Sequence, residues 1–236
     1  MSEQTFNSHL KSDETIRIEI LSNVCRMMVL RGHMDIKKYC YEPYKEADFD
    51  DVHLNPSTMI DDDKFISMFP EKSDKNAYVI PLDKDFEDER ENQNFNGSQL
   101  IVSIIPHRIN DIKNSDMIND VFKTYPDHHK LFIVDDIVEK ALNAFSIIKN
   151  VEVFMKDDLT IDLMRYVEAP HRCNLDVGST DTYLVRPNIP RIHENDPLAK
   201  YFNAKQGDTL KIIGNTVGNC IETRYRKVIE AKPVFV

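Results

Sequence analysis

Tryptophan is absent from this 236-residue chain, and so are the short patterns that announce most chemistry. No G-x-S-x-G, P-loop, G-x-G-x-x-G after a strand or H-E-x-x-H occurs, so the usual nucleophile elbows, phosphate cradles and zinc-protease helices have no candidate. Cys25, Cys40, Cys173 and Cys220 stand far apart without a C-x-x-C pair, which suits free buried thiols better than a disulfide framework or a zinc site. Apolar runs such as Leu131–Val134 fall far short of a bilayer span, and MSEQTFNSHLKSDE lacks the basic-then-apolar order of a signal peptide. The expectation is an intracellular protein with no membrane partner.

What is present is an ordinary globular composition, 41% hydrophobic and 30% charged, at a length that suits two small domains. Charge is uneven along it. From Pro170 onward ten Lys/Arg face seven Asp/Glu, a net of +3, which leaves −13 of the total −10 on the preceding residues. An acidic front of that size repels phosphate backbones as a whole, so nucleic-acid contact has to be local or organised by a partner.

Along the chain, Ser12 is placed to cap a helix in which Ile18, Leu21, Cys25 and Met28 recur at three- and four-residue spacing, with Gly32 at its end. Asp61–Phe69 predicts a short helix and Ala77–Ile80 a short strand. Asp83–Ser98, with six acids against two bases, has the composition of an exposed loop or a disordered insert. Leu100–Ile105 predicts a buried strand stopped by Pro106, and Asp116–Tyr125 a helix with Ile118, Val121, Phe122 and Tyr125 on one face. Lys130–Val134 predicts a strand. Asp135 and Asp136 then read as caps of a helix over Ile137–Ile148 with Val138, Leu142 and Phe145 inward, and Val151–Phe154 as a further strand. This alternation argues for helices packed on a small sheet. Composition changes at Ala169-Pro170-His171, where the domain boundary is placed. The predicted class is α+β: an N-terminal α/β domain over 1–169 and a compact helix-and-sheet domain over 170–236.

The acidic clusters Asp61-Asp62-Asp63, Asp135-Asp136 and Asp157-Asp158 read as caps or solvated faces before they read as metal sites. His128-His129 reads as a water-exposed turn, and His107 and His171, each beside a proline, as structural. A metal-dependent nuclease wants an acid before one strand and acid-x-Lys on the next. After Asp127 the only acid-x-Lys is Glu230-Ala231-Lys232, at the wrong spacing. A nuclease-like enzyme and a free-standing adaptor stand as the alternatives to the reading below.

The stretch Ile189–Ile213 is the most punctuated part of the chain. Asp196-Pro197 is a helix cap followed by proline in the first turn, Leu198, Tyr201 and Phe202 form an apolar face, and Asn203 can end the helix in the left-handed region. Gln206-Gly207 predicts a turn, Asp208–Ile213 a strand, and Cys220–Val228 a second strand. Leu210, Ile212 and Tyr201 are expected to serve folding.

These residues resemble the shared fifth subunit of eukaryotic nuclear RNA polymerases and its archaeal counterpart. Pro190, Arg191, Ile192, Asp196, Pro197, Ala199, Lys200, Tyr201, Phe202, Lys205, Gly207, Asp208, Leu210, Lys211, Ile212, Ile213, Tyr225, Arg226 and Val228 match the family's block in order and spacing. Weaker similarity runs from Leu131 to His171 and at the opening helix ending Arg31-Gly32. Asn203, Gly214 and Cys220 depart from a usual Gly, Arg and Gly, as in a divergent viral homologue. The resemblance implies a non-catalytic subunit, without cofactor or metal, whose C-terminal assembly domain docks on the largest polymerase subunit beside neighbouring small subunits. Arg191, Ile192, Asp196, Pro197, Lys200, Tyr225 and Arg226 are its partner-binding residues; alternatively Arg191 and Arg226 pair internally with Asp196 or Glu222. It also implies an N-terminal jaw near downstream double-stranded DNA. There the approaching segment reads DDIVEK, whose three acids oppose phosphate and whose Lys140 is the one DNA-proximal cation. The implied place is the nucleus for a cellular member, and the virion or host cytoplasm or nucleus for a viral one.

Overall fold

The computed structural model describes residues 11–49, 55–69, 77–87, 94–165, 172–175, 189–215 and 221–230. In chain order the helices are α1 (Asp13–Leu30), α2 (Ile36–Tyr39), α3 (Pro56–Met59), α4 (Asp62–Ile66), α5 (Asp116–Thr124), α6 (Glu139–Ser146), α7 (Lys156–Thr160) and α8 (Pro197–Tyr201). The strands are β1 (Tyr78–Pro81), β2 (Asn96–Ile109), β3 (His128–Ile137), β4 (Val151–Met155), β5 (Arg172–Leu175), β6 (Arg191–His193), β7 (Thr209–Asn215) and β8 (Ile221–Ile229). The class is α+β, with two four-stranded sheets. Contacts group residues 1–35 with 61–161 as one compact unit and 36–60 with 162–236 as the other. The predicted boundary at Ala169-Pro170 lies outside the described residues.

In the first unit the strand order is β1-β2-β3-β4, with β1 antiparallel to β2 and the other pairs parallel. Helix α5 connects β2 to β3, and α6 connects β3 to β4. Ile101, Ile105 and Ile109 of β2 and Phe132 and Val134 of β3 meet Ile118 and Val121 of α5 and Ala141 and Phe145 of α6. Leu131 and Ile133, which alternate to the other face, are equally buried, so β3 is covered on both faces as a central parallel strand requires. Each large side chain buried in this way stabilises the unit by roughly 1.5–3 kcal/mol.

Helix α1 starts as its sequence predicts: the Ser12 hydroxyl accepts from Thr15 N at 3.1 Å. It ends in a Schellman turn, with Gly32 at φ +81°, Gly32 N donating to Val29 O and His33 N donating to Met28 O, both at 2.9 Å. Burial is wider than the predicted stripe, since Ile20 to Val29 are buried apart from Asn23. Asn23 itself donates to Leu159 O of α7 at 2.8 Å.

Three expectations are corrected here. Pro106 does not stop β2, because its missing N–H falls where the β2–β3 register shifts between Ile105 and Arg108. Asp135 and Asp136 are not caps: β3 continues through them in register with β2, and α6 begins after Val138 without a side-chain cap. Leu142 does not point inward; Ala141 and Phe145 take the buried face and Leu142 is 38% exposed. The start of Asp83–Ser98 is a loop with Asp83, Lys84, Asp85 and Glu87 exposed, as expected, held by Leu82 N to Ser98 O at 2.8 Å, Phe86 N to Gly97 O at 3.0 Å and Asp35 N to Asp83 Oδ2 at 2.8 Å; residues 88–93 lie outside the described residues.

In the second unit the strand order is β5-β7-β8-β6, with β7 antiparallel to both β5 and β8 and β6 parallel to β8. Ala199, Tyr201, Phe202, Ala204, Leu210, Ile213 and Val228 are buried there. Leu210 and Tyr201 are buried, as expected of residues that serve folding; Ile212, on the Leu210 face, is half-buried, and Ile213, on the opposite face with Lys211, is buried as well.

Candidate partner-docking surface

The C-terminal module is positioned by short-range chemistry. Asp196 Oδ1 accepts from Leu198 N at 2.9 Å and Pro197 fills the first helical position of α8, where its lack of an N–H is harmless. Asn203 closes α8 at φ +50°, with Asn203 N on Lys200 O at 3.0 Å and Ala204 N on Ala199 O at 2.9 Å. This is the same Schellman turn that ends α1, carried by asparagine in place of glycine. Gly207, at φ +99°, then turns the chain, while Asp208 Oδ2 accepts from Lys205 N at 2.7 Å.

The resulting sheet separates the expected docking residues. Register pairs Arg191 with Lys227 and Ile192 with Val228, and on the other side of β8 pairs Lys227 with Thr209, Arg226 with Leu210 and Tyr225 with Lys211. Because opposed residues share a face and successive ones alternate, Arg191, Tyr225, Lys227, Lys211 and Thr209 lie on one side of the sheet. Ile192, Arg226, Leu210 and Val228 lie on the other. Asp196, Pro197 and Lys200 stand on α8, with Pro197 exposed and the other two half-buried. The seven residues therefore belong to two sheet faces and a helix rather than to one patch. Among the described residues neither Arg191 nor Arg226 has an ion-pair partner. Glu222, one of the two predicted internal partners, instead meets Arg224 at 2.7 Å, and Asp196 is occupied with its cap.

Lys140 is exposed in the first turn of α6. Of the neighbouring acids, Asp135 pairs with Lys156 at 3.3 Å and Asp136 with Arg108 at 3.2 Å, which lowers the local negative charge that opposed a phosphate.

His128-His129 is not a water-exposed turn. Both open β3, and His129, 3% exposed, places Nε2 2.9 Å from Glu152 Oε1 of β4. Arg31, at the end of α1, donates from both terminal nitrogens to the two Glu152 oxygens at 2.9 and 2.8 Å. Burial alone would raise the Glu152 pKa, but the Arg31 charge and the His129 bond outweigh it and hold the carboxyl well below the usual range. Phe86 stacks on His129 with centroids 4.0 Å apart, and His33 lies 4.0 Å from the other side of Phe86. This network fastens α1, β3, β4 and the start of the acidic segment together; the sequence showed none of it, since its members are distant in the chain.

The acidic clusters have local roles as well. Asp61 caps α4, Asp62 pairs with the buried Arg26, and Asp158 Oδ2 accepts from Met155 N at 3.3 Å. Among the described residues no group of three or more His, Cys, Asp or Glu is placed to hold a metal. No described helix is long and apolar enough to cross a membrane. Cys25 and Cys40 are free buried thiols, with burial pushing Cys25 up to about 12.

The C-terminal module is thus a capped short helix beside a four-stranded sheet that carries Arg191 on β6, Lys211 on β7 and Lys227 on β8. Residues 180–228 match the family of RNA polymerase Rpb5, C-terminal domain. The C-terminal part of the chain is thus similar to that family of RNA polymerase subunits.

Proposed function

We propose that the chain is built into a multisubunit DNA-dependent RNA polymerase through its C-terminal module, which docks on the largest subunit beside neighbouring small subunits. The N-terminal α/β unit then serves as a jaw near downstream double-stranded DNA during transcription. The observation that carries this reading is the family match over 180–228, lying on a module whose caps and turns leave Arg191 exposed and, among the described residues, without an ion-pair partner. Catalysis belongs to the complex, and the chain works inside the cell, in the nucleus or, for a viral polymerase, in the virion or host cytoplasm. The test is retention of the largest subunit by the tagged full chain carrying Arg191→Glu or Arg226→Glu, with thermal unfolding recorded for each. Loss of a docking contact costs about 1–4 kcal/mol, a several-fold to several-hundred-fold fall in affinity, at unchanged melting temperature. Full retention by both variants would remove both faces of this sheet, at these two positions, from the interface.

A further inference from the structure

One face of the C-terminal sheet has an arrangement that folding alone does not explain. Arg191 of β6 and Lys227 of β8 are direct cross-strand neighbours, and Thr209 continues the row on β7. In the next row Tyr225 stands opposite Lys211. Both Arg191 and Lys227 are exposed, and Lys211 and Tyr225 are half-buried. Like charges directly opposed on a sheet destabilise it, and neither a carboxylate between them nor an ion pair to Arg191, Lys211 or Lys227 occurs among the described residues. Three cations on one sheet face, with no acid paired to them among the described residues, suit an anion from outside the sheet.

The edge beside this face narrows the choice of anion. Within the described residues β6 is the outer strand. Lys227 N donates to Pro190 O and Glu194 N donates to Ile229 O, both at 3.0 Å, the alternation of a parallel pair that turns the peptide groups of Arg191 away from β8 to the open side. An edge without a pairing strand among the described residues takes an extended polypeptide, which nucleic acid cannot imitate. Three phosphate contacts would in addition give only a weak, salt-sensitive hold on DNA for a protein of net charge −10. We infer that this face receives an acidic, extended segment of the polymerase subunit on which the chain docks, its carboxylates meeting Arg191, Lys227 and Lys211 while its backbone runs along β6. Lys211 and Lys227 are thereby assigned to the interface, and Ile192 and Arg226, on the opposite face, are not part of this contact. The inference rests on the docking reading above.

The test uses polymerase assembled with the full chain, treated with a carbodiimide that joins amines to carboxylates in contact, and mapped by mass spectrometry. Lys211 and Lys227 should link to Asp or Glu of another subunit, and Lys211→Gln with Lys227→Gln should lower retention roughly tenfold while steepening neither its melting nor its salt dependence. If the chain co-purifies with polymerase but neither lysine links to another subunit and the double variant is retained in full, this inference is wrong and the docking reading survives. If retention instead disappears on nuclease treatment, the face binds nucleic acid and the inference is wrong. A wild-type chain that does not assemble with polymerase at all overturns both.

Discussion

Glu152 has two cationic or hydrogen-bonding partners and almost no water, and its energetics follow from that position. Replacing it by Gln leaves Arg31 buried beside a neutral amide, and breaking a buried pair in this way costs about 3–5 kcal/mol. Urea denaturation should show Glu152→Gln destabilised by that amount; a shift under about 1 kcal/mol would mean the pair is solvated. The same side chain sets a pH dependence. Its folded pKa is depressed, so its contribution is complete above the unfolded value near 4.5 and is lost as pH falls below it. His33 acts earlier: burial chiefly, opposed by its bond to Lys84 O and assisted by Arg31, lowers its pKa, so the neutral ring is favoured and stability declines as pH drops below about 6.5. Stability measured by denaturant midpoint should therefore fall in two steps on acidification, and His33→Gln should flatten only the upper one.

At the scale of elements, caps and packing make separate predictions. Asp196→Ala removes the acceptor for Leu198 N and should cost about 1 kcal/mol, read as a lower melting temperature. Gly97 has no room for a side chain, since a Cβ there would meet Phe86 O at 2.4 Å. Gly97→Ala should displace Phe86 from His129, and amide exchange at Phe86, slow in the parent, should accelerate; unchanged protection would show that the acidic segment is not held by this contact. The elements that were legible in the sequence are those decided locally: the Ser12 and Asp196 caps, the apolar periodicity of α1 and α5, the turn at Gly207 and the end of α8 at Asn203. The misreadings around the sheet share one cause. Pro106, Asp135, Asp136 and His129 each have a local preference that the β2–β3 pairing overrides, and strand register is a non-local property. For the same reason the docking residues could be named from their pattern while their division between two sheet faces could not.

For the whole molecule, the two units carry different demands. In the proposed role the C-terminal unit recognises protein; its residues from Pro170 onward carry +3, which suits an acidic partner, while 36–60 and 162–169 bring the unit as a whole to zero. The N-terminal unit, in the proposed jaw role, lies near DNA while carrying most of the negative charge, so its contact must be sparse. Lys140→Glu in assembled polymerase should weaken DNA retention modestly and equally for all sequences, lowering the salt slope by about one phosphate contact. No change in that slope would remove Lys140 from the DNA side. The central claim, that this chain is an integral polymerase subunit, is tested most directly by purifying the polymerase through a tag on its largest subunit and measuring the stoichiometry of this chain by quantitative mass spectrometry. The account predicts one copy per largest subunit, retained through size exclusion; active polymerase purified without the chain, with the chain eluting alone, would contradict it.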